Sequence, residues 1–99
     1  MANRVPVGLL LPLSGRSAAL GQSLLDAAQL AVFELMDKNF VLVPRDTAGT
    51  QDGARAAAAS AIENGAKFLI GPVFAASALA AAPLARDVGI NMVAFTNNR

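Results

Sequence analysis

The chain has 99 residues, the size of one small domain, and 55% of them are hydrophobic while 15% are charged. This composition predicts a folded chain, and the net charge of +1 provides no electrostatic footprint for nucleic acid or an anionic membrane. The lack of cysteine and histidine excludes disulfides, thiolate chemistry, histidine-based catalysis and the zinc sites that need either residue.

The amino terminus does not predict a membrane-associated segment. The apolar runs of the sequence are shorter than the roughly 20 residues that a membrane-spanning helix needs. Val5 to Leu13 contains Pro6 and Pro12, and one positive charge precedes it, so the sequence does not predict a signal peptide. If the parent protein is exported, we expect that its signal sequence has been removed.

The first half of the chain predicts two strands around one helix. Val5 to Leu11 is a continuous apolar run, the pattern of a strand buried on both faces. Between Leu20 and Met36 apolar residues recur at three- and four-residue spacing, which predicts an amphipathic helix. Phe40 to Pro44 predicts a second strand. Because proline lacks the amide hydrogen that a central strand donates, we place this strand at an edge of the sheet.

A second helix and a third strand follow. Thr50 is a candidate N-cap for an alanine-rich helix from Gln51 to Asn64, and Gly65 is a candidate C-terminal cap. The many alanines of this helix allow a close approach to a sheet but bury little area for each residue. Lys67 to Ile70 then predicts the third strand.

The last elements are a third helix, Ala76 to Val88, and a fourth strand, Asn91 to Phe95. Pro83 lies inside this helix and predicts a kink or a restart there. The regular alternation of strands and helices predicts an α/β fold of the flavodoxin-like or Rossmann-like type, with parallel strands in the order 2-1-3-4. Such sheets commonly have about five or six strands. We therefore expect a fragment of a larger protein, or self-association through the exposed edge of strand four.

Ligands of open parallel sheets bind beyond the carboxyl ends of the strands. The segments at these ends are Pro12–Gly21, Asp46–Asp52, Gly71–Ser77 and Thr96–Arg99. Small residues of the first segment could let backbone amides face an anion, or Ser17 could simply cap the first helix. In the same way, Ser77 could donate to a ligand or only cap the third helix.

Catalysis and cofactor binding have little support in the sequence. The serines have no histidine to activate them, and neither the G-x-G-x-x-G nor the Walker pattern is present. We therefore interpret Asp46 as a loop or cap residue and not as a ribose-binding acid. No enzyme activity, metal or cofactor is expected, and a flavodoxin-like cofactor-binding domain stays as a minor alternative.

Several segments resemble one known family of binding proteins. Val7 to Gly15, followed by Ala19 to Gly21 and an alanine-rich helix, is similar to the opening of type I periplasmic binding proteins of the leucine/isoleucine/valine-binding class. Arg45 to Thr47 resembles the exit from that family's second strand, and Gly65 to Pro72 resembles its third strand. The resemblance implies the amino-terminal part of a two-lobed protein that holds its ligand between the lobes.

Four segments are closer to one branch of that family. Leu10 to Gly21, Pro44 to Gly49, Gly71 to Ala76 and Ala94 to Asn97 resemble the bacterial penicillin-binding protein activators. The resemblance implies a non-catalytic periplasmic lobe whose parent is an outer-membrane lipoprotein and whose partner is a peptidoglycan synthase. The alternative is the solute-binding component of a branched-chain amino-acid ABC transporter, with an amino-acid-like solute as its ligand.

The resemblance also implies a ligand site on the loops after strands one, three and four. Leu20 stands where amino-acid binders place an aromatic residue, Ala75 where they place a hydroxyl, and Thr96 and Asn98 where they hold the ammonium and carboxylate groups. Since Ala75 has no hydroxyl, a free amino acid would need Ser77 as a substitute donor, and a less zwitterionic solute would not. The predicted set comprises Ser14, Gly15, Leu20, Ala75, Ala76, Ser77, Thr96, Asn97 and Asn98.

Overall fold

The computed structural model describes residues 5–35 and 40–94. Its strands all pair in parallel, in the order β2-β1-β3-β4, so the predicted α/β class and strand order are confirmed. None of the helices in the described residues is long and apolar enough to cross a membrane. In chain order the elements are β1 Val5–Leu11, α1 Ala18–Leu35, β2 Phe40–Asp46, α2 Gln51–Glu63, β3 Phe68–Ile70, α3 Ala75–Asp87 and β4 Asn91–Val93.

Strand β1 is the centre of the sheet and pairs along its whole length with β2, from Val5 opposite Phe40 to Leu11 opposite Asp46. On its other side it pairs with β3 over three residues. In the described sheet, β2 is an edge strand, as predicted from Pro44. Proline lacks the amide hydrogen, and this is tolerated in a strand that is hydrogen-bonded to only one neighbour.

The main core lies between the sheet and the alanine-rich face of α2. Leu10 and Leu69 are fully buried there, against α2 and α3. Along β1, Val7, Leu9 and Leu11 point to the opposite face and are also buried, where α1 contacts β1 and β2. Small side chains allow α2 to approach the sheet closely, and the core alanines of the two helices are Ala54, Ala57, Ala58, Ala61, Ala81 and Ala85.

Both predicted caps of α2 are confirmed. The Thr50 hydroxyl accepts a hydrogen bond from the amide of Gly53 at 2.9 Å, which satisfies one of the free donors at the start of the helix. At the other end Gly65 has a φ of 87°, and its amide donates to the carbonyl of Ile62 at 3.0 Å. The amide of Ala66 donates to the carbonyl of Ala61 at 3.0 Å, which completes a Schellman motif and turns the chain into β3.

The cap expected at Ser77 is wrong, and so is the restart of α3 that was one alternative at Pro83, whereas the kink that was the other alternative stays a prediction. Ser77 does not cap the helix, because the N-cap residue is Phe74, which makes no side-chain capping bond, and Ser77 already lies inside the first turn. Pro83 does not restart the helix, which runs unbroken from Ala75 to Asp87. The proline removes the donor to the carbonyl of Leu79, and Leu79 is 77% exposed, so water can replace the lost bond.

Candidate functional site

The loops that follow β1, β2 and β3 meet at the carboxyl edge of the sheet. Gly49, in the second loop, lies between the other two. A Cβ built on Gly49 would lie 3.9 Å from the Cβ of Pro12 and 3.6 Å from the ring of Phe74. The three loops therefore form one continuous surface where open parallel sheets bind their ligands.

Asp46, the last residue of β2, joins the first two loops. Its Oδ1 accepts hydrogen bonds from the backbone amides of Leu13 at 2.8 Å, Ser14 at 3.1 Å and Ala48 at 2.7 Å. The interpretation of Asp46 as a loop or cap residue agrees with this role, but its contacts with two loops were not predicted from the sequence. The signal was available, because parallel register with β1 places Asp46 beside Leu11 and hence at the start of the first loop.

The environment of Asp46 favours its ionised form. A hydrogen bond from the Ser14 hydroxyl holds the pKa of the Asp46 carboxyl below its ordinary value of 3.8. Slight burial raises this pKa, and the backbone amides of Ala48, Leu13 and Ser14 lower it further. The site therefore contains a negative charge that is already bound by the donors around it.

Three residues of the predicted site lie on the first loop and the helix that follows it. Ser14 and Gly15 are exposed, and a Cβ built on Gly15 would lie 3.2 Å from the carbonyl oxygen of Ala48. Leu20 is the third residue of α1 and is 44% exposed. This part of the predicted site is accessible, and it offers both exposed backbone and an apolar side chain.

The residues predicted around the start of α3 are placed differently. Ala75 is the first residue of the helix, and Ala76 is exposed. Ser77 is only 1% exposed, and its hydroxyl donates to the carbonyl of Thr50 at 3.4 Å. Ser77 thus faces the α2 cap and is not presented at the surface. The last predicted residues, Thr96, Asn97 and Asn98, lie outside the described residues.

An open groove of about 320 Å³ lies elsewhere, between the last turns of α2 and α3. Because these helices run back from the carboxyl edge, their last turns lie at the amino ends of the strands, away from the three loops. The groove is lined by Ala59, Ile62, Glu63, Leu84, Asp87 and Val88. Among the described residues, no group of three histidine, cysteine or acidic side chains is arranged to hold a metal ion.

The chain belongs to the periplasmic binding protein family, whose model matches residues 4–98. This identifies the class that the parallel sheet and its loop-bearing edge indicate. Since it is a family of binding proteins, the prediction that the chain is not an enzyme is confirmed.

Individual relatives include proteins named for binding leucine, isoleucine or valine and a solute binding protein in complex with benzoate. The chain is 31% identical over 98 residues to the Leu/Ile/Val-binding protein BraC3 of Rhizobium johnstonii. It is 31% identical to the structure of a leucine binding protein, LivK, from Thermotoga maritima, with a TM-score of 0.87. It is 30% identical to the solute binding protein of an ABC transporter from R. palustris in complex with benzoate, with a TM-score of 0.81.

These matches cover most of this chain but a small part of each relative. They span 93%, 95% and 92% of the chain, and 27%, 28% and 27% of the three relatives in the same order. The chain thus corresponds to about a quarter of the length of the proteins it resembles. The resemblance to the penicillin-binding protein activators is not supported by these relatives and stays a prediction.

Proposed function

We propose that the chain forms one wall of the ligand cleft of a periplasmic solute-binding protein that serves an ABC transporter. The observation that carries this proposal is the meeting of three loops at the carboxyl edge of the sheet, in a chain of this family. The opposite wall would come from a second lobe. Recognition, and not bond-making, would then be the task of these loops.

The ligand that we propose is a small carboxylate with an apolar body. Among the relatives, one is named for leucine and another holds benzoate, which share a carboxylate and an apolar part. Leu20 and Phe74 are 44% and 36% exposed and could pack against such a body. Residue 75 is alanine and the Ser77 hydroxyl is buried, so neither of these two described positions offers a hydroxyl oxygen that could accept a hydrogen bond from a ligand's ammonium group. We therefore favour an apolar carboxylate without an ammonium group over a free amino acid.

Regulation of a peptidoglycan synthase by an outer-membrane lipoprotein is the second candidate. Its support is the resemblance of four sequence segments to the activator branch, Leu10–Gly21, Pro44–Gly49, Gly71–Ala76 and Ala94–Asn97. The relatives named above favour the transporter alternative, so we place the transporter function first.

Thermal unfolding of the two-lobed protein distinguishes these functions. We expect benzoate, 4-hydroxybenzoate or leucine to raise the Tm in a concentration-dependent way, because a ligand that binds only the folded state stabilises it. Changing Leu20→Asp should abolish that rise. The matched control is Leu30→Asp, since Leu30 lies on the same helix, is 57% exposed and is ten residues beyond Leu20. A Tm that no such solute changes, together with co-purification of a peptidoglycan synthase, would favour the activator function instead.

A further inference from the structure

The carboxylate of Asp46 holds the first loop beyond the point where the backbone ladder ends. The last backbone bond between the two strands joins the amide of Thr47 to the carbonyl of Leu11 at 2.8 Å. Past this bond, the hydrogen bonds that join the first two loops in the described residues are accepted by the Asp46 side chain, from the amides of Leu13 and Ser14. The position of Ser14 relative to the sheet therefore depends on a side chain that lies 32 residues away in the chain.

The backbone amides around Asp46 Oδ1 form a concave anion-binding site, an anion nest, and the Asp46 carboxylate itself occupies it. Three amides, two from the first loop and one from the second, converge on a single carboxylate oxygen at 2.7 to 3.1 Å. Converging backbone amides of this kind form anion-binding concavities in other proteins. Here the internal carboxylate takes the place of an external anion, so the Leu13 and Ser14 amides are already satisfied and are not free to bind a ligand.

We propose that Asp46 is a positioning residue of the ligand cleft, which presets the Ser14–Gly15 loop by filling its anion nest with a fixed negative charge. This inference rests on the proposed function for its claim that the loop faces a ligand. It adds that the ligand's carboxylate binds to donors other than the Leu13 and Ser14 amides. It also implies that a loop emptied of the Asp46 carboxylate would accept a small external carboxylate in its place.

Chemical rescue tests this inference on the 99-residue chain, followed by amide NMR. In Asp46→Ala we expect the amide resonances of Leu13, Ser14 and Ala48 to move, and their hydrogen exchange to accelerate at least about tenfold, the factor that loss of one charge-assisted bond implies. Added acetate should return these resonances toward their wild-type positions in a saturable way. Acetamide, which has the same shape without the charge, should not.

The matched control is Asp52→Ala, which removes the same charge from an exposed residue whose partner is Arg55. Acetate should change neither this variant nor the wild type at the three amides. Equal effects of acetate and acetamide, or no response of the Ser14 and Gly15 amides to Asp46→Ala, would overturn the inference. A purely structural role would lower stability without this selective rescue.

Should Asp46→Ala not fold, the wild-type chain provides the second measurement. The amides of Leu13, Ser14 and Ala48 should titrate together, with one shared midpoint below 3.8, as the carboxyl is protonated. Separate midpoints, or a shared one at or above 3.8, would contradict the filled nest. This titration involves no solute, so a contradictory result would overturn only the role of Asp46 in the loop. Failure of the proposed function would instead be seen as the lack of a thermal shift with solutes.

Discussion

Gly21 lies directly against the backbone carbonyl of Pro12. A Cβ built on Gly21 would overlap that carbonyl oxygen, closer than nonbonded atoms can approach. Helix α1 therefore approaches the first loop through its second turn, where only a glycine fits. The contact fixes how the helix leaves the loop that carries Ser14 and Gly15.

The change Gly21→Ala tests this contact because two effects oppose each other. Helix propensity alone would stabilise the protein by up to about 1 kcal/mol, whereas a methyl group forced against backbone costs about 1–3 kcal/mol. We expect the clash to dominate and the free energy of unfolding in urea to fall. Ser23→Ala, at an exposed position of the same helix, is the control and should leave stability unchanged or slightly higher. A more stable Gly21→Ala protein would show that the helix does not approach Pro12 this closely.

Removal of the α2 cap should weaken the whole domain. Thr50→Ala leaves the amide of Gly53 without its side-chain acceptor, and the loss of such a cap costs about 1 kcal/mol. Thr50→Ser keeps the hydroxyl and should retain most of the stability. Equal losses in the two variants, measured by thermal unfolding, would assign the effect to the Thr50 methyl group and not to the hydrogen bond.

The buried Ser77 hydroxyl should contribute little to either stability or ligand binding. Its bond to the Thr50 carbonyl is long, at 3.4 Å, so Ser77→Ala is expected to cost less than about 1 kcal/mol in unfolding free energy. In the two-lobed protein, ligand affinity should stay at the wild-type level. A large loss of affinity with stability unchanged would restore Ser77 as the substitute donor that the sequence suggested.

The ionisation of Asp46 predicts how stability depends on pH. Its pKa is lower in the folded chain than its ordinary value of 3.8, so the ionised form is bound more tightly by the folded state. The stabilisation is complete above pH 3.8 and is lost as the pH falls through the lower, folded pKa. The stability difference between the wild type and Asp46→Asn should thus be constant near neutral pH and shrink below pH 3.8. Urea unfolding over this range measures it, and a difference that grows on acidification would refute the prediction.

Self-association through β4 stays a prediction that light scattering can test. In the described sheet β4 is an edge strand, and Val93 on it is 59% exposed. An apolar strand edge favours pairing with another chain, and a charge on it opposes pairing. We expect the 99-residue chain to associate and Val93→Lys to shift it toward the monomer. Leu79→Lys, on the exposed side of α3, should not. A monomeric wild-type chain at high concentration would contradict the prediction.

Local chemistry accounts for most of the fold that the sequence predicted. Thr50 and Gly65 correctly predicted where α2 begins and ends, because each capping residue acts within a few residues of its own position. The edge position of β2 followed from Pro44 for the same reason. The restart predicted at Pro83 did not occur, since Leu79, whose carbonyl loses its donor, lies on the exposed side of α3, where water can replace that donor. Which side of α3 is exposed depends on how the helix packs and not on the local sequence.

The site was predicted less completely, since its contacts are made between distant segments. Ser77 looked available from its place after a strand, but the arrangement of α2 and α3 turns it toward Thr50. Asp46 looked like a local turn residue, although strand register brings its carboxylate to Leu13 and Ser14. Neither outcome is visible in spacing or residue type alone, because both need the three-dimensional order of the strands.

The central place of β1 also constrains when the sheet can form. The first strand of the chain gains its two neighbours from β2, which ends at Asp46, and from β3, which ends at Ile70. Each pairing closes a long loop, and proteins built from such distant pairings fold slowly. During synthesis, this apolar strand therefore keeps one edge unpaired until β2 has emerged and the other edge unpaired until β3 has emerged, which makes this stage a natural target for chaperones.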